Sequence, residues 1–211
     1  MRESYMTAGS SANAELLIQK SRFIGYAARA ESEQQATEFI DSIKSLHRSA
    51  SHNCSAYMLG ENDTIQKAND DGEPSGTAGV PILEVLKKKQ LKDTVIVVTR
   101  YFGGIKLGSG GLIRAYGKAA SEALAAAGIV ERRLHSLMKV SIDYSWLGKV
   151  ENEVRQSDYP LKNIEYTDGV NLYVYVPVQK EEKFNLWMQE MTNGQSSLNC
   201  ISKEYLEFTI T

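Results

Sequence analysis

The sequence predicts an α+β protein of two domains, residues 1–135 and 136–211. Three observations carry this. Glycine crowds the first part and thins out in the second. Charge divides at the same place, with 17 Lys and Arg against 15 Asp and Glu over 1–135, but 7 against 11 over 136–211. The hydrophobic pattern changes there too, from short apolar runs and helical stripes to a regular alternation of strands and helices. At 211 residues, 42% hydrophobic and 24% charged, the chain can bury a core, which excludes intrinsic disorder. A net charge of −2 excludes a uniformly basic coat for nucleic acid but leaves room for a local patch.

In the first part, Phe23–Ala28 is a short apolar run that reads as a strand. Ser32-Glu33-Gln34-Gln35 has the spacing of a capping box, and Ala36, Phe39, Ile40, Ile43 and Leu46 follow at helical intervals. Ala56–Leu59 and Thr64–Ala68 pair as a hairpin around Gly60–Asp63. Thr94–Thr99 is apolar on both faces and rich in β-branched residues, which predicts a central buried strand. Ser109–Ala127 is a long helix. Its stripe runs through Leu112, Ile113, Tyr116, Ala119, Ala120, Ala123, Leu124 and Ala127, and Gly128 follows as a C-cap.

The second part reads strand (Leu137–Tyr144), helix (Leu147–Gln156), strand (Leu161–Thr167), strand (Leu172–Val178), helix (Glu181–Met191) and strand (Leu198–Ile210). A turn at Asp168-Gly169 joins the middle pair. The order βαββαβ is that of the ferredoxin-like plait, a fold that hosts many functions. No apolar run approaches the ~20 residues of a membrane span. The first twenty residues lack the apolar centre of a signal peptide. Cys54 and Cys200 form no CxxC pair. The expectation is a soluble cytoplasmic protein with no membrane contact, no bound metal and no cofactor.

Two stretches carry chemistry. Asp70–Pro81 packs three carboxylates, Asp70, Asp71 and Glu73, into four positions, then Ser75 and Thr77, then an apolar helix pattern. Such a cluster suits a divalent cation or a cationic partner. The same residues also suit a tight Gly/Pro turn in which Glu73, Ser75 or Thr77 caps the helix. The second stretch, Arg100–Arg114, leaves the buried strand and enters the long helix through glycines. Helix-start N–H groups attract anions. Arg100, Lys106 and Arg114, with Gly108, Ser109, Gly110, Gly111 and Lys118, make an anion or nucleic-acid site, and Tyr101 and Phe102 are available for stacking. From Lys87 to Lys118 there are eight Lys and Arg against the single acid Asp93. A solvated basic face over a core of aromatics is the alternative. No GxxxxGK[ST] motif occurs, which disfavours a P-loop hydrolase. His52 and Cys54 share a face if their segment is a strand, a weak candidate for a base–nucleophile pair.

Lys20–Ile24, His52–Tyr57, Asp70–Pro81 and Val98–Tyr116 together resemble the signature segments of the YigZ/IMPACT family. Residues 136–211 resemble the extra domain of its bacterial members. The resemblance implies a first domain like domain two of ribosomal protein five. It implies a second, ferredoxin-like domain similar to one in elongation factor G. Eukaryotic relatives regulate translation under amino-acid starvation, so a translation-linked role is what the resemblance implies here.

Three functions compete. The favoured one is a non-catalytic regulatory protein that binds RNA or the ribosome through the Gly-rich basic loop. An enzyme is the alternative, with Gly108–Gly111 on a substrate phosphate and Asp70, Asp71 or Glu73 holding a metal or acting as base. The third is a protein–protein adaptor that uses the second domain. The acidic and basic stretches can also pair with each other and form one structural network.

Overall fold

The computed structural model describes residues 2–210, so Met1 and Thr211 lie outside the described residues. The elements in chain order are β1 (Ser4–Ala8), β2 (Ala12–Ile18), β3 (Ser21–Arg29), α1 (Glu33–Leu46), β4 (His52–Leu59), β5 (Ile65–Asn69), α2 (Gly79–Lys88), β6 (Thr94–Tyr101), α3 (Gly108–Ala127), β7 (Ile129–Ile142), α4 (Tyr144–Gln156), β8 (Leu161–Tyr166), β9 (Val170–Pro177), α5 (Glu181–Met191) and β10 (Ser197–Thr209). They form two compact units, one built on Tyr5–Glu131 and the other on Arg132–Glu207.

The first unit is a sheet of order β2-β3-β6-β4-β5, antiparallel throughout. β6 lies in the middle and is buried along nearly its whole length. Its alternate side chains enter different cores. Ile96 and Val98 join α2 and α3 in the larger one, while Val95 joins Ala36, Tyr57 and Leu59 under α1. A strand covered on both faces needs apolar residues at every position, which is why Val95–Val98 shows no alternation. The alanine stripe of α3 lets that helix settle close to the sheet, while Ile113, which the sequence puts in the stripe, lies off the buried face and is exposed. At Gly25 of β3 a Cβ would meet the Ala119 carbonyl oxygen at 2.4 Å, so only glycine fits under the helix. The Ser32 hydroxyl accepts the Gln35 N–H at the start of α1, the capping bond its spacing predicts. Gly128 ends α3 with φ +69°.

β2 of this unit escapes the sequence patterns. β2 is at most half-buried along its length, so its alternation is faint. Its hairpin to β3 turns on Gln19 and Lys20 at φ 45° and 64°, without the Asn-Gly that marks such turns.

The second unit places β10 beside β7, followed by β9 and β8. In the sense of βαββαβ these are the fourth, first, third and second strands. β9 alternates buried and half-buried residues without a break. Its inward positions, Val170, Leu172, Val174 and Val176, meet Val150 and Val154 of α4 and Phe184 and Met188 of α5. β7 begins at Ile129, eight residues before the expected strand, because the charged run Glu131-Arg132-Arg133 hides its start from a hydrophobicity reading.

Candidate functional site

Each of the three carboxylates in 70–73 is committed inside the first unit. Asp70 folds back over its own loop. Its carboxylate accepts N–H bonds from Gly76 at 2.8 Å, Ala78 at 3.0 Å and Gly79 at 2.8 Å. Burial alone would raise its pKa, but those three backbone bonds outweigh burial and hold the carboxyl below the usual range. Asp70 thereby takes the amides at the start of α2. Glu73, Ser75 and Thr77 do not cap that helix, because the Thr77 hydroxyl donates to the Pro74 carbonyl and no side chain caps from Ala78. Asp71, in the left-handed region at φ 45°, grips Lys44 at 3.0 Å and the Asn53 N–H at 2.7 Å. Glu73 is 8% exposed. One of its oxygens accepts from Arg100 at 2.6 Å and from the Tyr116 hydroxyl at 2.8 Å. Among the described residues no three His, Cys, Asp or Glu side chains form a metal-binding group.

The basic stretch divides in two. Arg100, grouped by the sequence with Lys106 and Arg114, turns inward and is 5% exposed. It sits on β6 opposite Phe23 of β3 and His52 of β4. Its guanidinium carbon lies 5.4 Å from the ring centres of both Phe23 and Phe102. One terminal nitrogen binds Glu73, the other donates to the Ser21 hydroxyl at 3.3 Å, and Nε has no hydrogen-bond partner. A buried ion pair needs its remaining polar atoms satisfied to offset desolvation, and here Ser21 and Tyr116 contribute to that.

Lys106, Ser109, Gly110, Arg114 and Lys118 face outward and are exposed. No ion pair engages Lys106, Arg114 or Lys118 among the described residues. The loop that presents them is held down at Gly103, where a Cβ would strike the Lys20 backbone at 2.0 Å. α3 then opens at Gly108, at φ +70°, and no side chain caps it from Leu107. Gly110 leaves the first turn open, and the Arg114 guanidinium lies 3.8 Å from where a Cβ of Gly110 would stand. Gly111 is half-buried and lets Leu107 close on the helix. An uncapped helix start carries partial positive charge on free N–H groups. Here exposed cations surround it. Beside it is a pocket of about 380 Å³, lined by residues of both stretches, including Glu73, Arg100, Phe102, Lys106 and Ser109.

His52 and Cys54 do lie on one strand, but they do not form a nucleophile and its base. The Cys54 thiol is fully buried and donates to the Asp70 carbonyl at 2.9 Å. Burial pushes its pKa up to about 12, which leaves almost no thiolate at neutral pH. His52 donates through Nδ1 to the Asp71 carbonyl at 2.8 Å and stands 3.8 Å from Glu73 through Nε2. Tyr101 also turns away from the pocket, its hydroxyl 2.8 Å from Nδ1 of His47.

Several residues of the site have no motif to announce them. Ser21 bonds both Arg100 and the Gly103 N–H, and the Ser51 hydroxyl accepts the Phe102 N–H at 3.0 Å. Lys20 is exposed, and its backbone packs against Gly103 of the Gly-rich loop. Tyr116 hides in the apolar stripe of α3, although a buried phenol requires a partner. That requirement signals a partner, which the structure identifies as Glu73.

The fold and this site define a two-domain α+β protein in which a charged, glycine-rich loop system is built on the N-terminal sheet. Residues 19–124 match the model of the Impact N-terminal domain, and residues 140–195 match a domain of unknown function (DUF1949). The chain belongs to the IMPACT family. It is 58% identical over 207 residues to IMPACT family member YvyE of Bacillus subtilis (strain 168), covering 98% of this chain and 95% of that one. It is 34% identical to IMPACT family member YigZ of Escherichia coli (strain K12), covering 88% and 92%. A Protein IMPACT homolog of Saccharomyces cerevisiae is 33% identical over 105 residues, 47% of this chain and 40% of the yeast protein. A solved crystal structure titled as a hypothetical protein is 31% identical with a TM-score of 0.61, covering 96% of this chain and 99% of that one. No helix of the described residues is long and apolar enough to cross a membrane.

Proposed function

We propose that the protein is a non-catalytic, translation-linked regulator that binds RNA, on the ribosome or free, through the start of α3. The observation that carries this reading is the pairing pattern. Every acid of 70–73 and the buried Arg100 have partners within the fold, while Lys106, Arg114 and Lys118 surround an uncapped helix start and pair with no acid among the described residues. A phosphodiester oxygen fits that place, accepting from the first-turn N–H groups and neutralising the cations. The site falls wholly within the Impact N-terminal match, and membership of that family supports a role linked to translation. The second domain would contribute a protein contact, or orient the first, rather than bind phosphate, since its acids outnumber its bases.

The test is co-sedimentation with 70S ribosomes and with naked RNA across a salt series, wild type beside Lys106→Ala/Arg114→Ala. Binding is expected to weaken with salt. On a single strand the slope of log affinity against log salt should flatten by about 0.7 for each phosphate that the variant no longer neutralises. Binding that ignores both salt and the double substitution would rule the proposal out.

A further inference from the structure

The pocket beside the α3 start has two unlike walls. Pro74, Phe102, Leu107 and Leu112 make an apolar side, while Lys106 and Ser109 bring polar groups to its edge. Its volume of about 380 Å³ lies within the ~300–1,000 Å³ typical of small-ligand sites. Phe102 is 49% exposed, yet it is fixed in place: its N–H bonds Ser51, and its ring lies against the Arg100 guanidinium. An aromatic ring held rigid with one face open has already lost the freedom that a mobile one would lose on binding. Below it, Arg100 is nineteen-twentieths buried and forms part of the pocket wall. The edge of this cavity is also the uncapped start of α3.

We infer that this pocket receives one unpaired nucleotide, with its base on Phe102, Leu107 and Leu112 and its phosphate on the Ser109 and Gly110 amides beside Lys106. The inference rests on the reading of that helix start as a phosphate site and adds a demand for a free base. A base inside a duplex is stacked on both faces and cannot present one to Phe102, whereas an unpaired base can stack on an aromatic ring. The same chemistry is offered by a single-stranded RNA and by a free nucleoside monophosphate, so the experiment separates them.

The protein is titrated with labelled oligouridylate by fluorescence anisotropy, and with the same strand annealed to oligoadenylate. Uridine 5′-monophosphate and ribose 5-phosphate are titrated by NMR, following the Gly108–Gly111 amides. Phe102→Ala, Phe102→Leu and Lys106→Ala are compared with wild type, and thermal melting confirms that each is folded. The expected result is a preference for the single strand, and a loss of about 5- to 100-fold in Phe102→Ala. Phe102→Leu, which keeps an apolar wall but no ring, should lose nearly as much. Neither change should alter the salt slope, which Lys106→Ala should flatten. Equal affinity for duplex and single strand, unchanged by Phe102→Ala, would overturn the pocket assignment and leave the phosphate reading standing. Ribose 5-phosphate binding as tightly as the nucleotide would overturn the base contact. Nucleotide binding lost in Phe102→Ala, with no affinity for RNA, would keep the pocket and discard RNA as its ligand. No binding of any probe would end both.

Discussion

The stretches Asp70–Pro81 and Arg100–Arg114 have similar compositions and opposite fates. Both are rich in glycine, both carry three charges of one sign, and both lead into a helix. The acidic loop spends every charge on the fold: Asp70 on its own backbone, Asp71 on Lys44 and Asn53, Glu73 on Arg100 and Tyr116. In the basic loop only Arg100 is so used, and Lys106 and Arg114 stay in solvent. α2 begins with a carboxylate already seated on its first amides, whereas α3 begins with none. Two anion-seeking helix starts therefore stand in one domain, and only the second is open to a ligand.

The sharpest way to break this contrast is to remove the charge beneath it. Glu73→Ala leaves Arg100 buried without its counter-ion, and the expected cost is about 3–5 kcal/mol in urea unfolding. Arg100→Met/Glu73→Leu should cost less than Glu73→Ala alone, because it leaves no orphaned charge. A loss below about 1 kcal/mol in Glu73→Ala would mean that the pair is not a support of the loop. Asp70→Asn comes next, at about 1–3 kcal/mol for weakened charge-assisted bonds. Its pH dependence has a definite sign. The Asp70 carboxyl titrates lower in the folded chain than in the unfolded one, so its contribution is complete above the unfolded value, about 3.9. It is lost as pH falls from there through the folded value. The gap between wild type and Asp70→Asn should therefore close in acid, and a gap that stays constant down to pH 2 would argue against the three backbone bonds.

Cys54 gives a smaller, qualitative check on the same buried wall. Iodoacetamide at neutral pH should label only the exposed Cys200 in the native protein, and both thiols in denaturant, by intact mass. Rapid native labelling of Cys54 would show that this wall opens. The smallest effect is expected on the other side of the comparison. Arg114→Ala and Lys118→Ala should change stability by no more than about 0.5 kcal/mol, since both side chains are exposed and neither holds an ion pair among the described residues. Their effect should appear in RNA binding alone.

The elements that carry a strong period were legible in the sequence. The alanine stripe of α3, the Ser32 cap, the doubly apolar β6 and the alternation of β9 each express a contact that recurs at fixed spacing. β2 was not, because its inward residues Ala12, Leu16 and Ile18 are only half-buried and the outward Leu17 is apolar as well, which blurs the alternation. The start of β7 was not, because charged residues carry a strand there.

Within the candidate site, the sequence by itself determined which residues are charged, where glycine permits a sharp turn, and that cations gather between Lys87 and Lys118. Only the tertiary structure decided which of those charges face water. β3, β4 and β6 lie side by side, and their register puts Arg100 between Phe23 and His52, beneath a loop that delivers Glu73. Arg100 and Arg114 are the same residue type at the two ends of one basic stretch. Burial sets them apart, because a charge removed from water must find its partner in the protein, and that partner comes from a segment 27 residues away.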